Sequence, residues 1–206
     1  MTLYKDKYRI ESIRLQGYDY SQPGIYFITI VTHNRQCSFG NIIDDEMMLN
    51  EFGVLVKNEW LKTGIIRPNI VIDAFVVMPN HLHGIIIITD NDDEYSRDTG
   101  METGTHSETD TVSESKTKTG TKTIEQFGKP TKNSIPTIVR LFKSTTTKQI
   151  NQLRRDTLQR VSTTPMQPLW QRNYYEHIIR NEIELNRIRQ YIIDNPKKWK
   201  TDENYI

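Results

Sequence analysis

The chain has 206 residues, of which 35% are hydrophobic and 26% charged, and its only cysteine is Cys37. A lone cysteine excludes an intramolecular disulfide and a cysteine-rich zinc site, and it points to a reducing, cytoplasmic setting. The low apolar share implies that part of the chain lies outside the packed core. The net charge of +1 conceals two segments of opposite sign. Residues 129–200 carry 15 Lys/Arg against 5 Asp/Glu, and residues 90–127 carry 4 against 10. A basic third of a domain is the electrostatic footprint of a polyanionic partner, and a solvated basic surface is the alternative. The opening MTLYKDKYRI lacks the apolar core of a secretory signal, and no apolar run reaches membrane-spanning length.

In chain order, residues 24–32 (GIYFITIVT) are β-branched and aromatic and predict a strand. Residues 41–50 (NIIDDEMMLN) predict a hairpin around Asp44-Asp45. Residues 51–63 place Phe52, Leu55, Val56, Trp60 and Leu61 at helical spacing, with Gly64 as the stop. Residues 70–78 and 82–89 predict two strands joined by a tight turn at Pro79-Asn80, hence an antiparallel pair. Residues 90–132 are rich in Thr, Ser, Glu and Lys and read as a disordered acidic insertion. Ser134 then caps a basic amphipathic helix, with Pro136 in its first turn and Ile138, Leu141 and Phe142 on its apolar face. Residues 168–180 (PLWQRNYYEHIIR) predict a strand. Asn181 caps the last helix with Glu184 as capping-box partner; Leu185, Ile188 and Ile192 form its stripe, and Pro196 ends it. Without the hairpin the order is βαββαβ plus a C-terminal helix. That predicts an α+β, ferredoxin-like (split βαβ) antiparallel sheet with helices on one face. Residues 1–89 and 133–206 are then two halves of one domain.

His81 and His83 stand one residue apart in an apolar strand, so both project to one face, roughly 7 Å apart along the chain. Two buried imidazoles need a compensating partner, and a divalent metal supplies one. A pair of histidines satisfied by backbone groups is the alternative. A third ligand comes from elsewhere: His33, His177 or the last helix. There Tyr191 and Asn195 lie four apart on one face, with Arg187 extending their stripe. Tyr191 also reads as a half-buried aromatic with a solvated hydroxyl.

The segment PNHLHGIIII resembles the HUH (histidine–hydrophobic–histidine) motif of single-strand DNA endonucleases. QYIIDNP resembles the catalytic helix of single-tyrosine transposases. With GYDYSQPGIYFITIVTHNRQCSFG, SIPTIVRLFKSTTTKQIN and LWQRNYYEHIIRNEIELNRIRQYIIDNPKKW, the chain is most similar to the REP-associated tyrosine transposases, everywhere except residues 90–132. The resemblance implies that His81, His83 and Asn195 bind a divalent metal, Mg²⁺ or Mn²⁺. It implies that Tyr191 is the nucleophile. The activity would be cleavage and rejoining of single-stranded or hairpin DNA, such as repetitive palindromic elements, through a 5′-phosphotyrosine. The acting unit would be a monomer or a homodimer, cytoplasmic and associated with the nucleoid when on DNA.

A single strand lies along a basic groove with its bases on aromatic rings. Arg140, Lys143, Lys148, Arg154, Arg155, Arg172 and Arg187 are candidate DNA contacts. Trp170, Tyr174 and Tyr175 are candidate stacking residues, with core packing as the alternative. The resemblance adds Arg9, Arg14 and Tyr18 as contacts to a hairpin stem. Two rival readings stand beside the nuclease: a zinc hydrolase using His81, His83 and a third histidine, and a non-catalytic DNA-binding protein on the same scaffold.

Overall fold

The computed structural model describes residues 3–4, 8–9, 15, 17–90, 131–157 and 168–205. The insertion read at residues 90–132 falls almost wholly outside them. Two short strands, β1 (Leu3–Tyr4) and β2 (Tyr8–Arg9), pair antiparallel. β3 (Gly24–Val31) follows. Its alternation sends Tyr26, Ile28 and Ile30, all fully buried, to one face and Ile25, Phe27 and Thr29 to the other.

β4 (Gly40–Ile43) and β5 (Glu46–Leu49) form the expected hairpin. Asp44 and Asp45 take φ of 49° and 63°, the left-handed pair that a two-residue turn requires. Helix α1 (Glu51–Ile65) starts where the Asn50 side chain accepts the Gly53 N–H at 2.9 Å. It buries Val56, Trp60 and Thr63, while Leu61 is 40% exposed. Gly64 does not end it: the cap is Ile66. A Cβ at Gly64 would lie 3.3 Å from the Ile70 carbonyl, so the glycine lets α1 approach the next strand.

β6 (Ile70–Val77) and β7 (His81–Ile88) pair antiparallel across the predicted Pro79-Asn80 turn, with a bulge between Ile72 and Phe75. Gly84, inside β7, leaves room for the Trp60 indole, which would lie 2.6 Å from a Cβ there. Helix α2 (Ile135–Thr157) begins at Ser134, whose hydroxyl accepts the Thr137 N–H at 3.4 Å. It buries Ile135, Ile138, Val139, Phe142 and Ile150; Leu141 is 43% exposed, off that stripe.

The strand read over residues 168–180 is two pieces. Thr32 bridges Trp170, and β8 is confined to Tyr175–Ile179. Between them Lys143 Nζ donates to the carbonyls of Gln171, Arg172 and Asn173 at 2.9, 3.4 and 2.8 Å. Those carbonyls thus turn toward an ammonium group, not a neighbouring strand. Helix α3 (Glu182–Asp194) is capped by Asn181, which accepts the Glu184 N–H at 2.8 Å. Glu184 does not close a reciprocal box with Asn181. Its carboxylate accepts the Arg180 N–H and contacts His177 at 2.8 Å, which holds the start of α3 against β8.

The main sheet runs β6-β7-β3-β8, with every neighbouring pair antiparallel. Each of the two helical crossovers spans a gap filled by another strand, which makes the split βαβ arrangement expected from sequence. Helices α1 and α2 pack with Tyr26, Ile28, Ile30, Leu82 and Ile86. Helix α3 lies on the opposite face, over Phe27, Ile85 and Ile179. No helix among the described residues is long and apolar enough to cross a membrane.

Candidate active site

The register sets the site. β7 pairs with β3 so that His81 faces Val31 and His83 faces Thr29. Leu82 and Ile86 point to the α1–α2 core, so His81 and His83 share the α3 face with Ile85. Both imidazoles are buried, at 0% and 1% exposure, with ring centroids 4.5 Å apart. Phe27 stacks on His83 at 5.4 Å, and Trp199 lies 5.9 Å from His81.

Each imidazole is oriented through Nδ1. The Asn80 amide donates Nδ2 to the carbonyls of Arg35 and Asn204, at 3.0 and 2.8 Å. Its Oδ1 is therefore the atom facing His81 Nδ1, 2.8 Å away, and it can only accept. That fixes the proton on His81 Nδ1 and leaves Nε2 with a bare lone pair. His81 Nε2 is buried and has no hydrogen-bond partner among the described residues. His83 Nδ1 lies 2.8 Å from the Thr29 hydroxyl, and His83 Nε2 lies 3.1 Å from the Tyr191 hydroxyl. With Nδ1–H donated to Thr29, Nε2 accepts from Tyr191.

Helix α3 brings Tyr191 here because Leu185, Ile188 and Ile192 anchor its other stripe in the sheet. The Arg189–Asp73 ion pair, 2.7 Å, ties the same helix to the bulge in β6. Asn195 follows one turn after Tyr191, 1% exposed, and its Oδ1 is a second buried acceptor without a partner. Its Nδ2 donates to Asp202 at 3.1 Å. One ligand atom from each of His81, His83 and Asp202 lies within 4.8 Å of the others.

The protonation equilibria follow from burial. His81 is pushed down to about 4 by desolvation, opposed in part by Asp202 and Asn195. His83 is held well below the usual imidazole range by burial and then by His81. Both rings are neutral near pH 7, the state in which imidazole binds metal. Tyr191 is pushed up to about 12, first by desolvation and then by the charges of Asp202 and Glu203.

Two buried acceptors left unpaired in one place cost about 1–3 kcal/mol each. A divalent cation is the partner that satisfies both, so the donor set of His81 Nε2, His83 Nε2 and Asn195 Oδ1 fits one. Neither His33 nor His177 joins this group, and His177 is engaged with Glu184. The three-imidazole arrangement of the zinc hydrolase reading is not formed.

The structure also adds residues that the sequence reading missed. Asp202 has no periodic relation to Tyr191 and gives no sequence signal. Asn80 reads only as a turn residue. Thr29 is a polar residue on an apolar strand, which is a legible signal.

The candidate DNA contacts do not gather in one place. Arg140, Lys148, Arg154 and Arg155 ride on α2, across the sheet from the histidines. Arg154 lies over the Phe52 ring at 5.3 Å. Lys143 is committed to the three carbonyls of the 171–173 loop. Arg172 is exposed in that loop, and Arg187 is exposed on α3. The Tyr18 hydroxyl is 3.3 Å from that of Tyr26, beside Tyr20. Arg14 and the side chain of Arg9 lie outside the described residues. Of the stacking candidates, Trp170 is core, Tyr174 is partly buried against the same cluster, and Tyr175 is 56% exposed.

A solved structure of a REP-associated tyrosine transposase bound to a REP hairpin matches with a TM-score of 0.51. The match covers 92% of this chain and 74% of that chain at 19% identity, and the likeness is one of fold. An uncharacterised protein of Haemophilus influenzae is 36% identical over 195 residues, covering 95% of this chain and 92% of that protein. The chain belongs to the family of that protein. No protein-family model matches it.

Proposed function

We propose that this protein is a metal-dependent single-strand DNA endonuclease and strand transferase acting through a 5′-phosphotyrosine at Tyr191. The observation that carries this reading is the convergence of Tyr191 Oη, which meets His83 Nε2 at 3.1 Å, with two buried, unpartnered acceptors, His81 Nε2 and Asn195 Oδ1. His81 Nε2, His83 Nε2 and Asn195 Oδ1 would hold Mg²⁺ or Mn²⁺. A bound cation would polarise the scissile phosphate and neutralise charge gathering on its oxygens.

The chain's own groups do the rest. Tyr191 Oη attacks phosphorus, the bond from phosphorus to the 3′ oxygen breaks, and that oxygen leaves with a proton as a 3′ hydroxyl. The phosphate stays esterified to Tyr191, so the same site can rejoin strands without a nucleotide cofactor. His83 Nε2 has one lone pair, so a His83 engaged as a ligand no longer restrains the Tyr191 hydroxyl. A phenol held near 12 must lose its proton as it attacks, which ties its reactivity to positive charge nearby.

The substrate class we assign is single-stranded or hairpin DNA. Arg187 stands on the same helix as the nucleophile. The α2 row of Arg140, Lys148, Arg154 and Arg155 suits a more distant part of a folded hairpin. Residues 1–89 and 133–206 act as the two halves of one nuclease domain around the 90–132 insertion.

The test is to incubate the protein with labelled hairpin DNA and Mn²⁺, trap the covalent adduct and sequence the modified peptide by mass spectrometry. A 5′-phosphate on Tyr191 is the expected result. An adduct on Tyr174 or Tyr175 overturns the nucleophile assignment. DNA binding with no cleavage of any hairpin favours the non-catalytic scaffold.

A further inference from the structure

Asn195 presents a problem of symmetry. The two ends of an amide side chain are nearly the same size, yet only its oxygen can bind a cation. Size therefore does not choose between them. What does so is Asp202. A carboxylate can only accept hydrogen bonds, so the Asn195 atom 3.1 Å from Asp202 Oδ2 must be Nδ2, and Oδ1 must face the other way. Oδ1 and His81 Nε2 are both buried and without a hydrogen-bond partner among the described residues, and Asn195 is close enough to act on the His81 imidazole.

Asp202 is itself held in place. Its Oδ1 accepts the Asn204 N–H at 2.6 Å, and the Asn204 carbonyl accepts from Asn80, the residue that orients His81. The turn after α3 thus reaches two of the three neutral ligand groups through one short segment, and Asp202 adds a negative charge near His81 and His83.

We infer that Asp202 is a positioning residue that selects the Asn195 amide orientation and so completes the cation site. This inference rests on the metal-site part of the proposed function. It treats Asp202 as lying behind a ligand, oriented toward Asn195, with its second oxygen spent on the backbone.

An isosteric change at Asp202 should therefore have a large effect. Asp202→Asn keeps shape but has one acceptor where the native residue has two. If that acceptor stays with the Asn204 N–H, the introduced NH₂ faces Asn195 and forces its amide to invert, turning Nδ2 toward the imidazoles. The exchange Asn195→Asp with Asp202→Asn reverses the polarity of the pair. The new carboxylate at position 195 then accepts from the amide at 202 and still offers an oxygen to the cation, with the total charge unchanged.

The measurement is calorimetric titration of the purified full chain with Mn²⁺ alone, each variant first checked for a native melting transition. Asp202→Asn should weaken Mn²⁺ binding about tenfold or more, the scale of lost outer-shell support at metal sites. The double exchange should recover most of that loss. Asp202→Asn within twofold of the parent overturns the inference, and so does a double exchange no better than the single variant. His81→Ala separates the two levels. If it binds Mn²⁺ like the parent, the metal site itself falls and this inference with it. If it loses binding while Asp202→Asn does not, only the role of Asp202 is lost.

Discussion

The two faces of the sheet are built from the same strands and obey different rules. Toward α1 and α2, side chains such as Tyr26, Ile28, Leu82 and Ile86 close into an apolar core around Trp60 and Phe142. Toward α3, one end of the sheet is apolar (Phe27, Ile85, Ile179) and the other holds two histidines, an asparagine and an aspartate. Trp170 Nε1, inside the first face, finds Thr146 at 2.9 Å. Trp60 Nε1 there has no partner among the described residues, but it is a donor by itself, whereas in the second face two acceptors, His81 Nε2 and Asn195 Oδ1, are both unpartnered among the described residues. A fold that strands buried acceptors in one place carries a cost for having a site there.

The sharpest way to break the comparison is Tyr191→Phe. It removes one hydroxyl from the α3 face and should eliminate hairpin cleavage and the covalent adduct, both read on a denaturing gel. DNA binding should stay within a few-fold and the melting temperature within about 4 °C, since one hydrogen bond near the surface is worth about 1 kcal/mol.

Trp60→Ala is the counterpart on the other face. It should cost about 3–5 kcal/mol in urea denaturation and leave the Mn²⁺ affinity of the folded protein unchanged. A changed affinity would mean that the faces are coupled through Gly84, which receives the indole.

Protonation supplies a third test, of about 3 kcal/mol at most. The folded pKa of His81, about 4, lies below the unfolded value near 6.5. The unfolded chain therefore binds more protons between these values. Stability is at its fullest above about pH 6.5 and falls by up to ~1.4 kcal/mol per unit as the pH drops toward 4. Denaturation of chelator-treated protein across that range should show the slope, and His81→Ala should reduce it, with the buried His83 imidazole keeping part of it. Metal loading should likewise persist below the pH at which an ordinary imidazole would release the ion.

The smallest effect concerns residues 90–132. The segment TGTHSETDTVSESKTKTGTKT offers no periodic apolar face. Replacing residues 94–123 by a short flexible linker should move the melting temperature by no more than about 2 °C. A larger drop would show that the segment belongs to the core.

Much of this was legible in the residues. β-Branched and aromatic content predicts β3, the apolar run predicts β7, Asp44-Asp45 predicts the hairpin, and the His-x-His parity predicts a shared face. The misses share a cause. Gly64 reads as a helix stop because glycine usually is one, and only the approach of Ile70 explains why it stays helical. The strand over residues 168–180 breaks at 171–173 because Lys143, 28 residues upstream of Gln171, claims the carbonyls. The basic row on α2 is visible as charge, but which side of the sheet it occupies is decided by the buried stripe of Ile138, Val139 and Phe142. Asp202 belongs to the site through a tertiary contact with no local pattern, so periodicity could not find it.

The bond between Asn80 and the carbonyl of Asn204 joins positions 124 residues apart. During synthesis the imidazoles emerge early, on the hairpin that pairs with β3. Tyr191, Asn195 and Asp202, the proposed nucleophile, amide ligand and positioning carboxylate, all arrive in the last short stretch of chain. On the proposed function, a chain that stops before residue 191 would carry both imidazoles but no nucleophile, and would be unable to cut.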